Sequence, residues 1–109
     1  MLFRFRREEK PMAMKMIHVE RIEKAEEPLE FCVIVGEDQS ETKHEVTMPE
    51  SVYKRLTNGK VTPERCIQAA FQFLLDREPK ESILSRFDVT VISNYFPSFE
   101  RDLGRYLHP

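Results

Sequence analysis

The side chains able to do chemistry in this chain are few and scattered. Two cysteines, Cys32 and Cys66, and three histidines, His18, His44 and His108, are its nucleophilic and metal-ligating candidates. Cys66 offers the sharpest chemistry. It follows Thr62-Pro63-Glu64-Arg65, where a helix is expected to begin, and the positive end of a helix favours a thiolate over a thiol. The surrounding run Arg65-Cys66-Ile67-Gln68-Ala69-Ala70 gives the competing reading, a thiol packed as a small apolar side chain.

Metal and acid–base chemistry find less support. No two histidines stand at i, i+4 on a helix, and neither cysteine has a second ligand at zinc-site spacing, so no metal or cofactor is expected. The adjacent carboxylates Glu8-Glu9 and Glu26-Glu27 fit a solvated surface better than a catalytic pair, whose two members need a cleft and unlike environments. Gly36, Gly59 and Gly104 form no phosphate-binding loop, nucleophile elbow or dinucleotide fingerprint. An enzyme on this chain would need a site assembled from residues distant in sequence.

The elements that must position these residues announce themselves through proline. Pro49-Glu50, Pro63-Glu64, Pro79-Lys80-Glu81 and Pro97-Ser98-Phe99-Glu100 each pair a proline with a following carboxylate. Proline suits a first helical position because its missing N–H would have no partner there, and an early carboxylate complements the helix dipole. Before Pro49 the periodicity is that of strands. Lys15–Ile22, Leu29–Val35 and Thr42–Met48 mix β-branched and polar residues, and short connections between them predict an antiparallel meander with Leu29–Val35 at its centre. After Pro49, Val52, Tyr53 and Leu56 make the stripe of a short helix that stops at Asn58-Gly59. Thr62 caps the next, longest and most apolar helix, which carries Cys66, Ile67, Ala70, Phe71, Phe73, Leu74 and Leu75. Pro79 halts it, and a shorter segment with Ile83, Leu84 and Phe87 follows. Asp88 or Thr90 caps the last stretch, which Pro97 interrupts.

The 109 residues suffice for one core, so the expected organisation is a flexible extension over 1–13 and a single α+β domain over 14–109. The domain is a three-stranded antiparallel sheet followed by four or five helices packed on one face. With no apolar run of bilayer length and no signal-like N-terminal stretch, a cytoplasmic location is expected. Arg4, Arg6, Arg7 and Lys10 against Glu8 and Glu9 leave the first eleven residues at +2 and the remainder at −4 of the net −2. An acidic body is a poor match for a phosphate backbone, so nucleic-acid binding is disfavoured.

Two places could bind a partner. Leu29, Phe31, Val33 and Val35 share one face of the central strand, whereas Cys32 and Ile34 point the other way, where a helical layer on one side of the sheet would leave them uncovered. The aromatic cluster Tyr95-Phe96-Pro97-Ser98-Phe99 is the second, with Phe96 and Phe99 expected to close the core and Tyr95 and Tyr106 to keep wet hydroxyls. The run Val91 to Glu100, after Phe87-Asp88, resembles the closing motif of small bacterial proteins of unassigned function, a resemblance that implies no catalytic residues. The order of strands followed by helices is similar to that of HicB-like antitoxins, which implies a nucleic-acid-linked regulator as an alternative. This chain lacks the basic C-terminal helix expected there. The sequence thus points to a non-enzymatic, self-associating binding or regulatory module with a protein partner or a second copy of itself.

Overall fold

The computed structural model describes residues 15–24 and 26–107. The expected N-terminal extension and His108 lie outside them. Strands β1 (Lys15–Ile22), β2 (Leu29–Glu37) and β3 (Ser40–Met48) form the antiparallel meander, with β2 central. Register runs unbroken from Lys15↔Glu37 to Ile22↔Glu30 and from Leu29↔Met48 to Glu37↔Ser40. The β2–β3 turn is the two residues Asp38-Gln39, with Asp38 at φ 59°.

A fourth strand corrects the expected sheet. The Pro79-Lys80-Glu81 signal yields only a 3-10 turn (Lys80–Ser82), after which β4 (Arg86–Asp88) pairs parallel to β3 through Glu45↔Arg86, Val46↔Phe87 and Thr47↔Asp88. The sheet is therefore mixed and four-stranded, in the order β1-β2-β3-β4. Three residues are too few to establish a period of two, and the strand forms because β3 presents an edge for it. Asp88 holds the junction: one oxygen accepts from Thr47 Oγ1 at 2.5 Å, and the other accepts from the backbone N–H and hydroxyl of Thr90 at 3.1 and 2.7 Å.

On the helical side, α1 (Glu50–Thr57) and α2 (Pro63–Leu75) are followed by three four-residue segments, α3 (Ile92–Tyr95), α4 (Phe99–Asp102) and α5 (Gly104–Leu107). Pro63 takes the first helical position, and Thr62 Oγ1 accepts from the Arg65 N–H at 3.1 Å. Pro49 and Pro79 instead stand one residue earlier, as N-caps, and Pro97 lies in the turn before α4. Lacking a capping side chain, Pro49 leaves an orphan amide, which Glu27 of the β1–β2 loop satisfies: its carboxylate accepts from the Glu50 N–H at 3.0 Å. Asn58 and Gly59 both take left-handed φ, closing α1 as its Asn-Gly signal predicts.

The core sits between the sheet and α2. Phe31, Val33, Val35, Val46 and Met48 of the sheet meet Cys66, Ile67, Ala70, Phe71, Phe73 and Leu74 of α2, all buried. Around Phe73 the C-terminal segments build an aromatic nest, with edge-to-face contacts to Phe96, Phe99 and Tyr106 at ring distances of 5.9, 5.0 and 5.9 Å. Arg77 covers the Phe73 ring from outside, its guanidinium carbon 3.6 Å from the centroid. Tyr106 ties the chain end back to α2 by donating its hydroxyl to Asp76 at 2.6 Å, and its carbonyl accepts from Arg65 at 2.6 Å.

Candidate functional site

The polar groups best equipped for chemistry are spent on structure. Cys66 is 1% exposed, its sulfur 3.9 Å from Met48 Sδ, and burial pushes its thiol up to about 11 although Arg65 pulls the other way. His44 lies on the core face of β3 and tilts against Phe71 at 5.3 Å. Its Nδ1 is 2.7 Å from the Leu84 carbonyl, which can only accept, so Nδ1–H donates there, and Nε2 shares a hydrogen bond with Thr42 Oγ1 at 2.8 Å. Lys80 is 3% exposed and donates to Ser40 Oγ at 2.7 Å and to Glu81 at 2.6 Å. That contact fastens the β2–β3 turn to the segment after α2, and the ammonium holds the Glu81 carboxyl below its ordinary range.

The large apolar side chains that reach the surface fall in two places. Among the described residues the exposed large hydrophobic side chains are Met16, Ile22, Leu84 and Tyr95. Leu84 and Tyr95 line a groove of about 150 Å³ between the end of α2 and α3, floored by Leu74, Phe87 and Ile92 and bordered by Glu78. Phe96, half-buried, shares this groove. Phe99 does not: it is 1% exposed and belongs to the Phe73 nest. The aromatic cluster therefore divides, with Tyr95 outward, Phe96 between and Phe99 inward.

Met16 and Ile22 stand at the two ends of β1, on the face of the sheet opposite α2. Cys32 and Ile34 occupy that same face, half-buried, and cross-strand register aligns His18-Ile34-Lys43 and Glu20-Cys32-Glu45 across it. Charge surrounds the apolar pair. Glu45 binds Arg86 at 2.8 Å, and Glu30 binds Lys24 at 3.1 Å. The five residues singled out from the sequence are thus distributed over the sheet face opposite α2, a groove and the core.

The two sheet edges differ. β3 is closed by β4, by the Glu45 N–H donating to the Ser85 carbonyl at 2.8 Å, and by Lys80 on Ser40. β1 is the outermost strand on the other side, and among the described residues no strand pairs with its outer edge. Sequence reasoning passed over Met16, Ile22 and Leu84 as surface features and Lys80 and His44 as internal ties. The period of two in β1 could have located the first pair; Leu84 and Lys80 lie in an aperiodic segment that carries no such signal.

Among the described residues, no group of three or more His, Cys, Asp or Glu side chains is placed to hold a metal ion, and no helix is long and apolar enough to cross a membrane. Comparison with protein families, with curated proteins and with solved structures finds no match.

Proposed function

We propose that this protein is a binding module that acts by associating with protein surfaces, a second copy of itself included, rather than by catalysis. The observation that carries this is the sorting of side chains: Cys66, His44 and Lys80 are buried and engaged, the exposed His18 belongs to no metal-holding group among the described residues, and Met16, Ile22, Leu84 and Tyr95 are exposed. Apolar side chains scattered singly over a surface are ordinary. Here they fall as two pairs, one at the ends of a strand whose outer edge no described strand pairs with and one lining a groove, and those are settings in which strands and amphipathic segments dock. The two free cysteines fit a reducing compartment, in agreement with a cytoplasmic site of action.

Sedimentation across micromolar to millimolar concentration tests the self-associating part. A concentration-dependent rise in mass is expected, and a strict monomer over that range would contradict it.

A further inference from the structure

We infer that the second copy docks edge to edge along β1, antiparallel about a two-fold axis through Val19, joining two four-stranded sheets into one of eight. This deepens the self-association proposed above and rests on it.

The direction of the free backbone groups follows from the β2–β3 turn. A pair that closes a two-residue turn is hydrogen-bonded, so Glu37 and Ser40 point their amide groups at one another. Alternation then turns the odd-numbered residues of β2 toward β3 and its even-numbered residues toward β1. In β1, Met16, His18, Glu20 and Ile22 therefore bond to β2, and the amides of Lys15, Ile17, Val19 and Arg21 face outward. Edge strands are ordinarily blunted by a bulge, a proline, short length or charged side chains. Of these β1 carries only the last, in Lys15, Glu20 and Arg21, which the register about Val19 pairs or leaves opposite uncharged residues. β1 has eight residues, no proline and an unbroken register with β2.

The residues themselves select the register. Continuing the sheet requires opposed residues to share a face, so the axis must pass through a residue rather than between two. Centred on Val19, the strand sets Ile17 against Arg21, His18 against Glu20, Met16 against Ile22, and Lys15 against Glu23 just beyond the strand. Opposite charges meet at Lys15–Glu23, an imidazole N–H can donate to a carboxylate at His18–Glu20, and the two exposed apolar side chains of the strand cover one another twice. Centring on His18 opposes Lys15 to Arg21, and centring on Glu20 opposes that carboxylate to its own copy. Both flanking registers bring like charges together, which disfavours a cross-strand pair. The Val19 register forms about six backbone hydrogen bonds from Val19, Ile17 and Arg21.

Val19→Pro, in the full chain, removes an outward N–H without touching the bonds to β2, a change that edge strands tolerate. Sedimentation should show the dimer dissociation constant raised about tenfold or more, since two symmetric hydrogen bonds are lost. Lys15→Glu should weaken the dimer, and adding Glu23→Lys should restore it. Val19→Cys gives an independent readout. Opposed residues of a hydrogen-bonded pair lie about 5.5 Å apart at Cα, within disulfide range, whereas the two copies of residue 17 would stand roughly 14 Å apart. Oxidation with diamide should crosslink Val19→Cys rapidly, and neither Ile17→Cys nor the unsubstituted chain should follow. A dimer that ignores Val19→Pro and the charge changes and gives no Val19→Cys crosslink would overturn the edge while leaving self-association standing; a chain monomeric throughout would overturn both.

Discussion

At Cys66 two physical effects oppose one another, and their sizes decide the outcome. A helix N-terminus stabilises a nearby anion by about 0.3–1 kcal/mol, up to about 2 in favourable geometry. Raising a thiol from 9.0 to about 11 corresponds to roughly 2–3 kcal/mol against the anion, so desolvation prevails. Cys66 should accordingly resist a thiol reagent in the native protein at neutral pH and react on unfolding; stoichiometric native labelling would contradict its burial. Linkage gives the sign at high pH. Because the folded value lies above the unfolded one, this contribution is whole below pH 9.0 and is lost toward pH 11, at about 1.4 kcal/mol per pH unit. Denaturant titrations of Cys66→Ala across that window should show a shallower fall than the parent. A similar contrast holds four residues apart in the aromatic cluster. Phe99→Ala empties a site 1% exposed against Phe73 and should cost about 3–5 kcal/mol, whereas Tyr95→Ala, at 65% exposure, should stay within about 0.5 kcal/mol in the same titration.

Among the elements, α2 is the best specified, and its cap gives a clean test. Thr62→Ala removes the acceptor for the Arg65 N–H and should lower unfolding free energy by about 1 kcal/mol; no change would mean the hydroxyl contributes nothing. The meander, α1 with its Asn58-Gly59 stop, and α2 were legible in the sequence because each spans enough residues for its period to emerge. β4 was not: Arg86–Asp88 is three residues long, and its partner Glu45–Thr47 lies some forty positions earlier. Distance along the chain likewise hid the ties of Lys80 to Ser40 and of His44 to the Leu84 carbonyl, each forty positions apart, and the Glu27 cap on α1, twenty-three positions from Glu50. Tertiary partners, not local pattern, make these contacts. The candidate site was legible in fragments. Tyr95 stood out as aromatic, but its separation from Phe99 depends on how the chain turns at Pro97; Cys32 and Ile34 were assigned to the second sheet face by alternation alone.

Among the described residues the layout is asymmetric: helices cover one face of the sheet, β4 closes one edge, and β1 is outermost at the other. In the proposed dimer that edge pairs with its own copy through alternate amides. Residue-resolved hydrogen exchange at increasing protein concentration tests it most directly, because the two sets of β1 amides should behave differently within one strand. His18 and Glu20, bonded to β2, should be protected at every concentration. Ile17, Val19 and Arg21 should exchange fast when dilute and gain protection together as the concentration rises, with Val19 at the centre of the protected set. Odd-numbered amides that stay unprotected while the protein is dimeric by mass would contradict pairing along β1, and their indifference to concentration in a chain that stays monomeric would contradict self-association itself.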